Sequence, residues 1–551
     1  MNNGANKKTL IKSIKSNGNV ISDNKGICNT MNDFFATVGK NLAQRLPNNA
    51  QPETFNTFLR GNYPNKDSFT HTNPTEVKNI IIKLKTSSSG YDQVDTTIIK
   101  RASDVLAPTL SILFNKCLDA GFFPASLKIS KIIPLFKEGD RDDASNYRPI
   151  SLLSVLAKVL EKIIFIRLNN HINDNNILSP QQFGFRTKLS PQSALISLTS
   201  HVIEHIENKD YTIGIFLDFK KAFDTIDHSI LIAKLKHYGF TGNCIELLAN
   251  YLCNRLQCTM VNGHISDCKP VTHGIPQGSP LGALLFLIYI NDLPLASNLK
   301  TYLFADDSNF FASDKNLNDL YNRTNNELKL IGQWILANKL TINFDKTHYL
   351  IFSRARVIHE GSLWMLGVNI PRKEVTKFLG VYVDHKLTWK QHVEHLCLRI
   401  SKSIGVLYSI RKCLSLSTKK MLYYSLVYPH LQYCSAVWGA AVETTLNPLF
   451  LLQKRAIRIV NASSYLEHTH PIFKSLNLLK LNEIISLETC KFIPSQVNAP
   501  NPLIPTQRHD QVHNYNTRNR LNLRVTTVPN SNLRRNHITN RGCNLYNTLP
   551  D

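Results

Sequence analysis

The chain has 551 residues, enough for roughly two to four domains, and its 43% hydrophobic and 19% charged residues exclude a disordered or fibrous protein in favour of one that buries a large core. Lys and Arg number 64 against 40 Asp and Glu, a formal net charge of +24, which favours a polyanionic partner: nucleic acid first, an anionic membrane surface second. Eleven scattered cysteines form no CxxC pair, so no disulfide framework or zinc knuckle is legible and a reducing compartment fits best.

The N-terminus, MNNGANKKTLIKSIKSNG, is polar and basic without an apolar core, unlike a secretory signal. Residues 1–27 read as a polar arm. Residues 28–120 read as helical, from the apolar spacing in MNDFFATVGKNLAQRL and PTEVKNIIIKLK. KISKIIPLFKEGD predicts a short strand ending in a charged loop. NYRPISL follows as a second extended piece, since Pro149 disfavours a helical approach. The two predict a β-hairpin bearing Lys137 and Arg148. Residues 153–173 spell a strong amphipathic helix.

YTIGIFLD (211–218) has the composition of a buried strand, with a helix predicted from about Ala222. HGIPQGSPLG (273–282) is a Gly/Pro loop opening an apolar helix over 281–291. The apolar run 281–290 is too short to span a bilayer, so no membrane partner is expected, and the protein should be cytoplasmic, nuclear or both. TYLFADDSNFFAS (301–313) predicts two short strands joined by a polar tip. A helix over 319–338, a strand over 340–353 and another over 377–384 follow. Residues 385 to about 464 are mainly helical. The tail beyond 500, rich in Asn and Arg with little apolar periodicity, is expected to be loosely folded.

The chemistry is carried by carboxylates. Asp306 and Asp307 are adjacent acids at a hairpin tip between apolar flanks, and Asp218 ends an apolar strand. Strands usually avoid such residues. Either motif alone is compatible with an ordinary turn or strand end. Three acids at apolar strand ends call for cations, and Mg²⁺ suits hard oxygen ligands while keeping positions open for phosphates. Two such ions, ~3.5–4 Å apart, can activate a hydroxyl and stabilise a leaving pyrophosphate in an in-line displacement.

The series, in its order, resembles the conserved blocks of reverse transcriptases, and its wording is closest to non-LTR retrotransposons of the jockey-like kind. FLDFKKAFDTIDH (216–228) resembles the first palm motif and GIPQGSPLGALLFLIYINDL (274–293) the second. FADD (304–307) resembles the YxDD box, with Phe304 in the Tyr place. LTINFDKT (340–347) resembles the fourth block and FLGV (378–381) the primer-grip region. The match runs from about 70 to 440, with weaker phrases at CNTMNDFFATVGKNL (28–42) and NYNTR (514–518).

The resemblance implies an α+β fold shaped as a right hand: an N-terminal arm and helical extension (1–69), fingers (70–210), a palm with an antiparallel sheet (211–384; with the fingers strands, 126–384), a helical thumb-like region (385–500) and a basic tail (501–551). It implies an RNA-directed DNA polymerase that extends a DNA primer on an RNA template with deoxynucleoside triphosphates, using two Mg²⁺ ions for which Mn²⁺ can substitute. Asp218, Asp306 and Asp307 would be the catalytic, metal-binding acids, with Asp224 and Asp227 in supporting roles of helix capping or hydrogen bonding. Lys137 and Arg148 would grip the triphosphate, and Lys346 would act as a general acid toward pyrophosphate. Phe223 would lie beneath the incoming sugar and reject a 2′-hydroxyl, where RNA-making relatives place a polar residue. Gln277 and Gly278 would face the nucleotide. Phe183, Phe185 and Arg186 in QQFGFR resemble a template-contacting block, and Leu379 and Gly380 would touch the primer.

Elements of this kind need a nick to prime synthesis, yet no nuclease-like acid–His–Asn set precedes the fingers and no CCHC spacing follows 440. The expectation is an endonuclease supplied in trans, or truncation of a longer element. The alternative function is a nucleic-acid-binding relic without turnover, against which the intact acids argue.

Overall fold

A computed structural model describes residues 10–45 except 17, 52–355, 361–497 and, past that point, 499, 502–504, 506–511, 522–525, 533 and 536–548. The fold is organised by the strand Tyr211–Leu217. Successive residues of a strand face opposite sides, and YTIGIFL is apolar on both, as a strand covered on both faces requires. Ile213, Ile215 and Leu217 enter one core while Phe216 enters another. Alternation puts Gly214 on the second face, where the Phe311 ring fills the space of a side chain: a Cβ there would sit 2.5 Å from it.

This strand pairs antiparallel with Asp307–Asp314 on one side and His348–Phe352 on the other; Lys300–Phe304 completes a four-stranded antiparallel sheet. One face packs on the helices Val155–Asp174, Pro280–Tyr289 and Leu317–Ala337. The other packs on Pro191–Glu207, Lys390–Ile410, Glu443–Asn461 and Leu481–Val497. Among the described residues no helix is long and apolar enough to cross a membrane.

A second sheet is built on the hairpin Ile129–Phe136 and Tyr147–Leu152, the expected one, with Leu135 opposite Arg148. Arg255–Val261 lies parallel to Ile129–Phe136 and carries the short strands His264–Ile265 and Lys269–Val271 on its far side. Helix Asn24–Gln44 covers this sheet and is pinned by a buried Asn32, whose Nδ2 donates to the Gln257 and Asp267 carbonyls (3.3 and 2.9 Å) while its Oδ1 accepts from the Thr259 hydroxyl (3.1 Å).

Several expectations change. The polar arm contains a hairpin, Ile14–Ser16 with Asn19–Ile21, anchored by the buried Ile14. No helix starts at Ala222: a series of turns runs to Asp227, which caps Ser229 and Ile230 at the start of the helix His228–His237. The strand over 340–353 is only His348–Phe352, because residues 341–347 bend to meet Asp218. The strand over 377–384 is a hairpin, Val375–Phe378 with Val381–Asp384, because Leu379 (φ 48°) and Gly380 (φ 82°) reverse the chain. In the tail, Ile538–Asn547 is a helix with Ile538 and Cys543 in the core, so the described part is packed. NYNTR lies outside the described residues.

Lys234 and Asp292 form a fully buried ion pair. The ammonium also donates to the Tyr289 carbonyl (2.6 Å), and Trp334 Nε1 donates to Asp292 Oδ2 (3.0 Å). Removing one partner strands a buried charge. Asp292→Ala should therefore cost about 3–5 kcal/mol in chemical denaturation, and the paired Lys234→Met/Asp292→Leu replacement much less.

Candidate active site

The sheet register brings the three acids together. Its ladder ends at Ser308 opposite Leu217, so Asp307 and Asp218 are the next residues out on neighbouring strands. Asp306 is beside them at the tip of the hairpin, where Ala305 takes φ 55°. Residues of QQFG brace this tip. Gln182 Oε1 accepts from the Ala305 and Gly184 amides (3.2 and 2.8 Å), and a Cβ on Gly184 would stand 2.5 Å from the Ala305 nitrogen. Asp218 is clamped by the loop read as strand. Asn343 Nδ2 donates to its carboxylate (2.7 Å), and the Asn343 amide donates to its carbonyl (2.8 Å).

Burial, then repulsion from Asp218, raises the Asp306 carboxyl above its ordinary value, against the pull of Arg148 and Lys137. Burial, then repulsion from Asp306 and Asp218, pushes Asp307 up to about 6. Among the described residues no three His, Cys, Asp or Glu side chains are already arranged to hold a metal ion. The acids fit a hard divalent cation by donor chemistry, and such an ion would relieve the repulsion that raises them.

Cations crowd the opposite side. The neighbouring Lys346 and then burial pull the Lys137 ammonium down, with Arg148 adding to the effect. Glu138 is 4.0 Å from Lys137 and 3.8 Å from Lys346. Lys221, absent from the expected set, donates to the Ser145 and Tyr147 carbonyls (3.0 and 3.1 Å). Burial lowers it, and it feels Asp224, Arg148 and Lys346. Cations packed this closely repel one another, a cost that an anion of multiple charge would relieve.

The loop carrying Gln277 is tied to the turn after Asp218. The Gly274 and Ile275 amides donate to the Ile226 and Phe223 carbonyls (2.8 and 2.9 Å), and the Ser151 amide donates to the Gln277 carbonyl (2.8 Å). Gly278 has φ 116°, and a Cβ there would meet the Ser151 oxygen at 3.0 Å; only glycine suits that position. The Phe223 ring stacks on Phe286 (4.4 Å, 19°). Gln277 Nε2 donates to Asp224 Oδ1 (2.8 Å), while Asp224 Oδ2 is buried without a partner.

Ser279 caps the helix Pro280–Tyr289 and donates to Glu161 (2.6 Å), a fully buried acid that also accepts from the Tyr251 hydroxyl (3.1 Å). Sequence reasoning missed Glu161; the available signal was one acid on the apolar side of LAKVLEKIIFI. Asn343, Lys221 and Gln182 carried no such signal.

The remaining expected residues lie apart. Phe183 is 3% exposed and stacks on Tyr302 (6.3 Å), and the Arg186 guanidinium donates to the Ser179 and Gln182 carbonyls (2.8 and 3.3 Å). Of that block only Phe185, 62% exposed, presents its ring to solvent. Leu379 and Gly380 form the turn of a separate hairpin, where the Leu379 carbonyl accepts from the Tyr433 hydroxyl (2.8 Å).

Residues 136–383 match the family model described as reverse transcriptase (RNA-dependent DNA polymerase). The chain is 28% identical over 521 residues to the RNA-directed DNA polymerase from mobile element jockey of Drosophila melanogaster, covering 91% of this chain and 56% of that protein. It is 29% identical over 436 residues to the probable RNA-directed DNA polymerase from transposon BS of the same organism (76% and 48% covered), and 29% identical over 443 residues to the jockey polymerase of Drosophila funebris (78% and 48%). The chain thus spans about half the length of these relatives.

Burial, opposed by Gln277 and Lys221, holds the Asp224 carboxyl up at about 6. A raised native value means that the folded state keeps this proton longer than the unfolded chain, so stability from this group falls as pH rises from about 4 to about 6. Asp224→Asn keeps an acceptor for Gln277 and lacks the titration. In urea denaturation the variant should gain on the wild type by on the order of 2 kcal/mol between pH 4.5 and pH 7.

Proposed function

Residues 136–383 being a reverse transcriptase domain of the kind carried by non-LTR retrotransposons, we propose that the chain is an RNA-directed DNA polymerase that adds deoxynucleotides to a primer 3′-hydroxyl on an RNA template. The observation that carries this reading is a set of three mutually repelling carboxylates that feels the charge of Arg148 and Lys137, with Lys346 beside Lys137. In the reaction the 3′-oxygen forms a bond to the α-phosphorus, the bond to pyrophosphate breaks, and the hydroxyl proton passes to water. Two Mg²⁺ ions bound by Asp218, Asp306 and Asp307 would activate the hydroxyl and neutralise the leaving group.

The chain's own residues do the rest. Lys137, Arg148 and Lys221 hold the triphosphate in line, and Lys346 gives a proton to departing pyrophosphate. Phe223, backed by Phe286, offers a ribose 2′-hydroxyl an apolar wall and no acceptor. Gln277, its amide nitrogen engaged by Asp224, turns its carbonyl oxygen toward the nucleotide. In this reading the second sheet belongs to fingers, the four-stranded sheet to a palm and the helices from Lys390 on to a thumb. Phe185 and the turn of Leu379 and Gly380 contact template and primer.

Primer extension on an RNA template with a DNA primer tests the proposal. Wild-type protein with Mg²⁺ should use deoxynucleotides and not ribonucleotides, and Asp306→Asn should fall by at least about a thousandfold. Folded protein that gives no extension would sink the polymerase reading. Phe223→Ala should raise ribonucleotide use about ten- to a hundredfold relative to deoxynucleotide use. Protonation of Asp307 removes ligand charge, so the half-saturating Mg²⁺ concentration should rise as pH drops through about 6. An unchanged value in wild type at pH 5.5 and 7.5 would count against Asp307 as a ligand.

A further inference from the structure

Away from the carboxylates, a cavity of about 310 Å³ opens between the hairpin of Val375–Phe378 and Val381–Asp384, the helix Lys390–Ile410 and the short helix Tyr428–Gln432. Its polar lining is Lys377, His392, His395, Arg399, His430 and Tyr433, with no Asp or Glu. Among the described residues neither Lys377 nor Arg399 is in an ion pair.

His392 supplies an independent observation. It is 2% exposed, and its Nδ1 accepts the Tyr382 amide (3.4 Å). A neutral ring that accepts at Nδ1 carries its proton on Nε2. That Nε2 is buried without a hydrogen-bond partner. Burying a donor unpaired costs about 1–3 kcal/mol, and such a group at a cavity of like-charged neighbours points to an anionic acceptor. The Tyr433 hydroxyl, which donates to the Leu379 carbonyl, fixes the mouth of the cavity against the turn of Leu379 and Gly380. The Tyr382 ring lies 5.0 Å from His395 and 5.6 Å from Lys377 Nζ.

We propose that this cavity is a phosphate-oxyanion site that seats one backbone phosphate of the nucleic acid running past the turn of Leu379 and Gly380. Lys377 and Arg399 supply the charge, and His392 Nε2–H supplies a donor of fixed direction. The site rests on the polymerase reading for its source of phosphate, and on the cavity alone for its chemistry. Its effect is on the grip of the strand rather than on bond formation, since the reacting groups lie on other elements.

The test is fluorescence anisotropy of a labelled RNA–DNA hybrid with the full chain at a series of salt concentrations, beside calorimetry with inorganic phosphate. Lys377→Gln/Arg399→Gln should bind the hybrid about tenfold more weakly and flatten the dependence of log affinity on log salt by about one unit, the signature of a lost phosphate contact. The control Lys100→Gln/Lys116→Gln, which removes two cations elsewhere, should change both much less. Equal weakening by the control overturns the proposal, as does unchanged hybrid binding by the cavity variant. Loss of inorganic phosphate binding with hybrid binding unchanged would assign the cavity to a free anion and overturn the backbone phosphate. Wild-type chain that fails to bind the hybrid also overturns it. Hybrid binding that responds as expected in a protein without extension activity supports the site and sinks only the polymerase reading.

Discussion

Three carboxylates held side by side repel one another, and the fold is arranged around keeping them there. Their repulsion, added to their burial, raises the Asp306 and Asp307 carboxyls above their ordinary values. No loop alone would hold that arrangement. The antiparallel ladder does, because the pairing that runs from Asp314 opposite Tyr211 to Ser308 opposite Leu217 leaves Asp307 and Asp218 no freedom to separate along the strands. That ladder is secured by burial on both faces, which is why a strand ending in a charged residue is otherwise wholly apolar. Gly214 serves the same end: the space its missing side chain leaves is filled by Phe311, locking the two central strands face to face.

The loop beside the acids is tied to a different part of the core. Gln277 is set by Asp224, the turn holding Asp224 is bonded to Gly274 and Ile275, and Ser279 at the end of the loop is bonded to the buried Glu161. The Glu161 carboxyl is itself pushed up by burial, opposed by Arg255 and two hydroxyl donors. A polar network of this kind, inside an apolar helix layer, is costly when incomplete and rigid when complete. The surface that would meet the nucleotide is therefore positioned from the helix Val155–Asp174 as much as from the sheet.

The elements that were legible in the sequence are those with one dominant period or one buried composition. The strand at 211, the helices at 155 and 317 and the hairpin bearing Asp306 and Asp307 all fall within a few residues of expectation. The acids themselves were visible because charge at the end of an apolar strand is anomalous. What was not legible depends on partners distant in sequence. The stretch 340–347 looks like a strand, yet it bends because Asn343 reaches Asp218, and no local pattern records that. Phe183 and Arg186 look like an aromatic and a cation ready for nucleic acid. The structure gives the ring to the core and the guanidinium to nearby carbonyls, because the block braces the hairpin tip. The tail's polar composition likewise concealed a helix, which docks through Ile538, Cys543 and Tyr546 on the core and through the Arg541 guanidinium, which donates to the Gly439 carbonyl and the Thr489 hydroxyl.

The surplus of positive charge divides into two kinds of setting. Around the acids, Lys137, Arg148 and Lys221 face carboxylates, so each cation is partly compensated by the protein itself. At the cavity beside Leu379 and Gly380, the lining that faces Lys377 and Arg399 contains histidines and a tyrosine and no acid, so the field there is uncompensated and would suit the proposed phosphate whatever its sequence context. Were the chain to extend a strand as proposed, it would gain from this division. Binding charge kept away from the reacting acids adds affinity for the strand without altering the balance of charge on which the chemistry depends, and because it reads the backbone alone it is indifferent to which base has just been added.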